Sequence, residues 1–260
     1  MSELVRLTIE NGLAHIVLAR VEAHNAMSAE FIEALAATCQ TVTADRSVRA
    51  ALITAEGKHF CVGGDLRAFG LDPDPAAMIE KMANRLHDAI KALAAMDAPL
   101  VVGVRGAAAG AGLGLAAAGD LVIAGEGAHF TTAYAAIGLT SDGGASWTLP
   151  RVIGLRRAQE MALLNRRLLA AEALDWGLVT RVVPDDAVDA EALALARQLA
   201  AGPTRAYAGI RRLLADAHLT GLGDQLDAEA RSMGEALRTR DAQGAVLAFL
   251  ERTAPVFTGE

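Results

Sequence analysis

The sequence predicts an α/β fold, and three observations carry that prediction. Short apolar runs of strand length recur at VRAALITA, APLVVGV and DLVIAG, each continuous rather than alternating, as strands covered on both faces require. Helical patterns separate these runs, so β and α alternate along the chain. After residue 187 the sequence turns almost wholly helical.

The elements follow in order. LVRLTIENG and LAHIVLAR flank Asn11-Gly12 and predict a β-hairpin. Ser28 stands as an N-cap before AEFIEALAATCQTV, whose apolar residues recur at helical spacing. A strand is expected over Val48 to Ala55 and a helix over Pro75 to Met96. Strands at APLVVGV and DLVIAG then enclose a glycine- and alanine-rich stretch that is itself expected to be helical. A break falls near Val183, and four helices follow: VDAEALALARQLAAG, TRAYAGIRRLLADAHL, LGDQLDAEARSMGEAL and DAQGAVLAFLERTAP. Gly202-Pro203 and Gly221 to Gly223 mark joints between them. A division follows, with a core over residues 1–195 and a helical oligomerisation region over 196–260.

Composition narrows the function classes. With 260 residues, 53% of them hydrophobic, the chain can bury a large core. Only 4% are aromatic, so that core is built from aliphatic and methyl groups between closely spaced elements. The net charge of -7, with no basic run interleaved with aromatics, excludes a nucleic-acid surface from the expectation. Cys39 and Cys61 have neither CxxC nor Cys/His ligand spacing, so reduced thiols, no disulfide framework and no metal are expected. MSELVRLTIENG lacks a basic region followed by an apolar core, and the uncharged Gly106 to Gly119 is too short and glycine-rich to span a bilayer. The expectation is a cytoplasmic protein without a membrane or nucleic-acid partner.

From Gly103 to Ala124 only Arg105 and Asp120 carry charge, and a lone Asp142 follows in TSDGGASW. Small residues where a helix begins let a ligand reach backbone N–H groups that no earlier turn satisfies, and a developing oxyanion is one such ligand. The same composition also suits a helix packed tightly in a core.

Several segments together resemble the crotonase (enoyl-CoA hydratase/isomerase) superfamily: GKHFCVGGDL, PLVVGVRGAAAGAGLGLAAAGDLVIAG, AHFTTAYAAIGLTSDGGASWTLPRVIG and LLAAEALDWGLVTRVV, in that order. The resemblance runs from the first hairpin to FLERTAPVFTG. It implies a ClpP-like ββα spiral with two near-perpendicular sheets and a helical C-terminal trimerisation region, assembled as a homotrimer or hexamer. It also implies acyl-CoA thioester substrates, with coenzyme A as part of the substrate and no separate cofactor. Two backbone amides grip the thioester carbonyl in that family, and they fall here on Gly64 and on Ala111, where many relatives have glycine. The resemblance places Arg20, Ala23, Gly63, Asp65, Leu66 and Tyr134 among the residues that meet substrate or coenzyme A.

Side chains decide the reaction. The two glutamates of hydratases in this family fall on Gly114 and Tyr134, neither of which can act as a base. What remains is Asp142, in a segment that resembles the ring-epoxide phenylacetyl-CoA isomerase branch, where an aspartate at this place transfers a proton. Asp142 followed by GGASWTLP also reads as a helix N-cap. His87, at the edge of the apolar stripe formed by Met82, Leu86, Ile90 and Leu93, reads either as a packing histidine or as a catalytic partner. The second reading comes from 4-chlorobenzoyl-CoA dehalogenase, which has a histidine and an aspartate at the places of His87 and Asp142. Arg20 reads as a phosphate-binding cation or a solvated surface arginine, Cys61 as a buried small residue, and Met78 with Met82 as pocket lining or simple packing. The expected function is an enoyl-CoA isomerase with Asp142 as acid and base. The alternatives are a hydratase-like or dehalogenase-like enzyme using Asp142 and His87, and a non-catalytic acyl-CoA binder.

Overall fold

The computed structural model describes residues 4–69 and 73–260. It opens with β1 (Val5–Glu10) and β2 (Leu13–Leu18), paired antiparallel. Asn11 and Gly12 both take positive φ, 51° and 78°, as a two-residue hairpin turn requires. A single 3-10 turn, Val21–Ala23, leads to α1 (Ala29–Ala44), whose first turn is capped by the Ser28 hydroxyl accepting from the Phe31 amide. β3 (Ala50–Ala55), α2 (Leu66–Phe69) and α3 (Pro75–Ala95) follow. Phe31, Leu35, Cys39 and Val42 form the buried stripe of α1, which packs on α3 through Leu86, Ala89 and Leu93.

Next come β4 (Leu100–Val104), β5 (Ala107–Ala109), α4 (Ala111–Ala117), β6 (Leu121–Gly125) and β7 (His129–Thr131). The chain continues through α5 (Ala145–Ile153), α6 (Leu155–Leu163), β8 (Leu168–Leu169), α7 (Ala170–Trp176) and β9 (Arg181–Val183). It closes with α8 (Val188–Ala200), α9 (Thr204–Asp216), α10 (Leu222–Leu237) and α11 (Arg240–Glu251).

Six strands form one sheet in the order β1-β2-β3-β4-β6-β9, parallel except for the opening hairpin. β3 and β4 are buried along their whole length, which is why their sequences read as unbroken apolar runs. A second sheet, β5-β7-β8, stands beside it. Isolated parallel bridges Met27↔Gly64 and Cys61↔Ala108 continue this second layer. Each winding of the chain therefore repeats one plan: a strand of the large sheet, a short extended segment of the second layer, then a helix.

One expectation is corrected here. The glycine- and alanine-rich stretch is not helical throughout, because Ala107–Ala109 is the strand β5 and only Ala111–Ala117 is helix. Alanine prefers helix, but β5 is held extended by Cys61 on one side and by His129–Thr131 on the other. Gly110, at φ 54°, makes the turn between the two.

α8 covers the sheet at β3, β4 and β6, burying Ala192, Leu195 and Ala196 with Leu52, Val101 and Ile123. Asp120 is structural: one carboxylate oxygen accepts from the Leu100 amide at 2.7 Å, and Arg211 of α9 pairs with the same side chain at 2.8 Å. The C-terminal residues are tied down by buried Asp241, which accepts from the amides of Thr258 and Gly259. Among the described residues, no helix is long and apolar enough to cross a membrane.

Candidate active site

A cavity of about 130 Å³ opens where the second layer meets α3 and the loop before α5. Met27, Ile32, Met82, Leu86, Ile137 and Leu139 give it apolar walls, and Gly64, Ala111, Tyr134 and Asp142 bring it polar groups. Met82 therefore lines the cavity, while Met78 packs against the core.

Backbone bonding fixes the two glycine-rich segments against each other. The Met27 amide donates to the Gly63 carbonyl at 2.8 Å and the Asp65 amide to the Met27 carbonyl at 3.0 Å. The Ala109 amide donates to the Cys61 carbonyl at 2.9 Å, and the Gly110 amide to the Thr131 carbonyl at 3.1 Å. Between these bonded neighbours, the amides of Gly64 and Ala111 have no acceptor among the described residues. Both line the same cavity. Glycine is needed around them. A Cβ on Gly63 (φ 96°) would lie 3.0 Å from the Ala109 carbonyl oxygen, and one on Gly112 2.4 Å from that of Cys61. Cys61 is fully buried in this contact, and burial pushes its thiol up to about 12, which leaves it unreactive.

Asp142 enters the same cavity from the loop before α5. Its Oδ1 meets His87 Nε2 at 2.5 Å, joining the loop before α5 to α3. The N-cap alternative fails, because α5 is capped by Gly144 and Asp142 contributes only its main-chain carbonyl, to the Ala145 amide at 3.1 Å. Leu139 lines the cavity, but Trp147 turns outward and carries the Arg151 guanidinium 3.9 Å from its ring centroid. His87 lies outside the cavity and lines a second opening of about 290 Å³ with Ile90, Lys91, Ser141, Asp142 and Ser146.

Neither hydratase-glutamate position offers a base. A Cβ on Gly114 would lie 2.3 Å from the Gly143 carbonyl oxygen, so α4 supports the Asp142 loop by direct backbone contact. The Tyr134 hydroxyl is buried without a hydrogen-bond partner among the described residues, the nearby Asp142 main chain falling outside hydrogen-bond geometry. Burial first, and then the Asp142 carboxylate, raise its phenol well above the ordinary range, so it stays protonated.

The remaining expected residues divide. Gly63, Leu66 and Tyr134 line the cavity; Arg20, Ala23 and Asp65 do not. Arg20 is no solvated surface arginine: its side chain is 19% exposed, donating to Asp65 at 2.8 Å and to the Ala26 carbonyl at 2.7 Å. Asn25 carries no chemical signature in the sequence. Fully buried at φ 57°, it donates to the carbonyls of Glu56 and His59 and clamps the loop after β2 to the loop after β3. Its only sequence signal is its residue type, since Asn adopts left-handed backbone more readily than most residues. Among the described residues, no group of three His, Cys, Asp or Glu side chains converges as metal ligands.

The enoyl-CoA hydratase/isomerase family model matches residues 8–260. The chain belongs to the enoyl-CoA hydratase/isomerase family. Among curated proteins it is 37% identical to the 1,2-epoxyphenylacetyl-CoA isomerase of Escherichia coli K12 over the full length of both chains. It is 36% identical to 4-chlorobenzoyl coenzyme A dehalogenase-2 of an Arthrobacter species, over 75% of this chain and 71% of that one. A crystal structure of a Mycobacterium abscessus protein assigned to the same hydratase/isomerase group superposes with a TM-score of 0.95, at 39% identity, over 98% of this chain and 100% of that one. The crotonase fold is thereby established, and with it an acyl-CoA-transforming enzyme of the superfamily.

Proposed function

We propose that this enzyme isomerises an unsaturated acyl-CoA by moving a proton between carbons, with Asp142 as the group that removes and returns it. One observation carries the reading: two amides without acceptors among the described residues, Gly64 and Ala111, share an apolar cavity whose described lining includes one carboxylate, Asp142. Removing a proton beside a thioester places negative charge on its oxygen, and each preorganised donor stabilises that charge by about 3 kcal/mol. A carboxylate can take a proton from one carbon and return it to another two bonds away. Hydration requires a second base to position water, and Gly114 and protonated Tyr134 supply none. No metal or separate cofactor enters this scheme.

The test is turnover of a 3-enoyl-CoA to its 2-enoyl isomer, followed by ultraviolet absorbance. Asp142→Asn lowers kcat by about a thousandfold or more while the CoA ester still binds, since the amide keeps the shape but cannot take a proton. Unchanged turnover in that variant removes Asp142 from the mechanism.

The Asp142–His87 contact favours a second reading, a dehalogenase-like hydrolase in which the carboxylate attacks an aryl ring and the histidine activates water. Halide release from 4-chlorobenzoyl-CoA, dependent on both residues, supports that reading over the first.

A further inference from the structure

Among the described residues, Asp142 alone lines both the apolar cavity and the second opening. Its carboxylate bonds His87 Nε2 at 2.5 Å, and the imidazole, 36% exposed, lies in that opening and outside the cavity. The substrate side of Asp142 is walled by methionine, leucine and isoleucine, whereas its other side is lined by His87, Lys91, Ser141 and Ser146.

We infer that His87 is a proton relay between Asp142 and solvent, so that the proton Asp142 removes from substrate exchanges with water before it is returned. This rests on the proposed role of Asp142 as acid and base. At rest the neutral imidazole donates Nε2–H to the Asp142 carboxylate. Once Asp142 has taken the substrate proton, the imidazole shifts its own proton to Nδ1 through water in the second opening, and the carboxyl proton crosses the short hydrogen bond to the freed Nε2 lone pair, leaving carboxylate and imidazolium. The imidazolium exchanges its ring protons with water in the second opening and hands a solvent proton back across the same bond. Proton count and charge are unchanged over the cycle, and no other reactant takes part.

A histidine that merely held Asp142 in place would not set the isotopic content of the product. The experiment therefore follows a 3-enoyl-CoA in deuterium oxide, reading deuterium in remaining substrate and product by mass spectrometry, for wild type and His87→Gln. Glutamine keeps an N–H donor for Asp142 and suits a partly exposed helix position, but it cannot carry a proton through itself. Wild type should give product rich in solvent deuterium, and His87→Gln about a fifth or less of that deuterium per turnover, with direct return of the original proton taking over.

Four outcomes separate the relay from the isomerase reading. Isomerisation with exchange that collapses in His87→Gln supports both. Exchange at the carbon beside the thioester without isomerisation, again lost in His87→Gln, supports the relay and overturns the isomerase. Isomerisation whose deuterium content is negligible in wild type, or equal in both proteins, overturns the relay alone. Neither exchange nor isomerisation overturns both.

Discussion

A Cβ at residue 114 would sit 2.3 Å from the Gly143 carbonyl oxygen, nearer than real side chains approach, so a glutamate there must displace the loop that carries Asp142. Gly114→Glu is thus expected to destabilise the fold by about 1–3 kcal/mol through overpacking, and to lose isomerase activity without gaining hydratase activity. Thermal denaturation and a crotonyl-CoA hydration assay check this together. Hydration at an unchanged Tm would show instead that the loop yields and that a missing glutamate alone separates this chain from a hydratase. The sequence showed that Gly114 is no base. It could not show why glycine stands there, since the contact joins backbone atoms 29 positions apart and leaves no pattern in composition. The same holds for His87 and Asp142, whose types suggest chemistry but whose 2.5 Å approach depends on how α3 meets the loop before α5.

Elements were legible in proportion to how far their own residues determine them. The hairpin at Asn11-Gly12, α1 after Ser28, and α10 over LGDQLDAEARSMGEAL all stand where turn chemistry, capping and periodicity put them. β5 was not legible: three alanines become a strand because Cys61 and His129–Thr131 pair with them, a tertiary choice that overrides propensity. Arg20 illustrates the same limit at the junction of two loops. Its guanidinium ties the chain after β2 to Asp65, one residue beyond the Gly64 amide, and so braces one half of the proposed oxyanion site. Arg20→Ala leaves a half-buried carboxylate unpaired, and is expected to cost about 1–3 kcal/mol of stability and to lower kcat about tenfold. Steady-state kinetics with a melting curve distinguish this from a phosphate contact. A rise in KM alone, at unchanged kcat and Tm, would mean that Arg20 serves coenzyme A and not the loop.

At the scale of the whole molecule, the helices of the C-terminal region are covered very differently. α8 closes the sheet over Leu52, Val101 and Ile123, whereas α10 has no buried residue and α11 buries only Asp241. Leu222, Met233, Phe249 and Leu250 stand between 71% and 81% exposed on these last helices. Such a concentration of large apolar side chains exceeds what a lone chain ordinarily leaves to water, and at roughly 25 cal/mol per Å² its burial favours assembly. We therefore expect a homo-oligomer built through α10 and α11; that it is a trimer or a hexamer is what the resemblance to the crotonase superfamily implies, not what the exposure shows. Placing two carboxylates in that surface, by Phe249→Asp with Leu250→Asp, sets charge desolvation against the apolar gain and should dissociate it. Light scattering on purified protein reads the result: a trimeric or hexameric mass for wild type falls to that of one chain in the double variant, while the far-ultraviolet dichroism stays the same. A wild-type mass of a single chain would mean that this face is solvated as it stands, and that one chain carries the complete site.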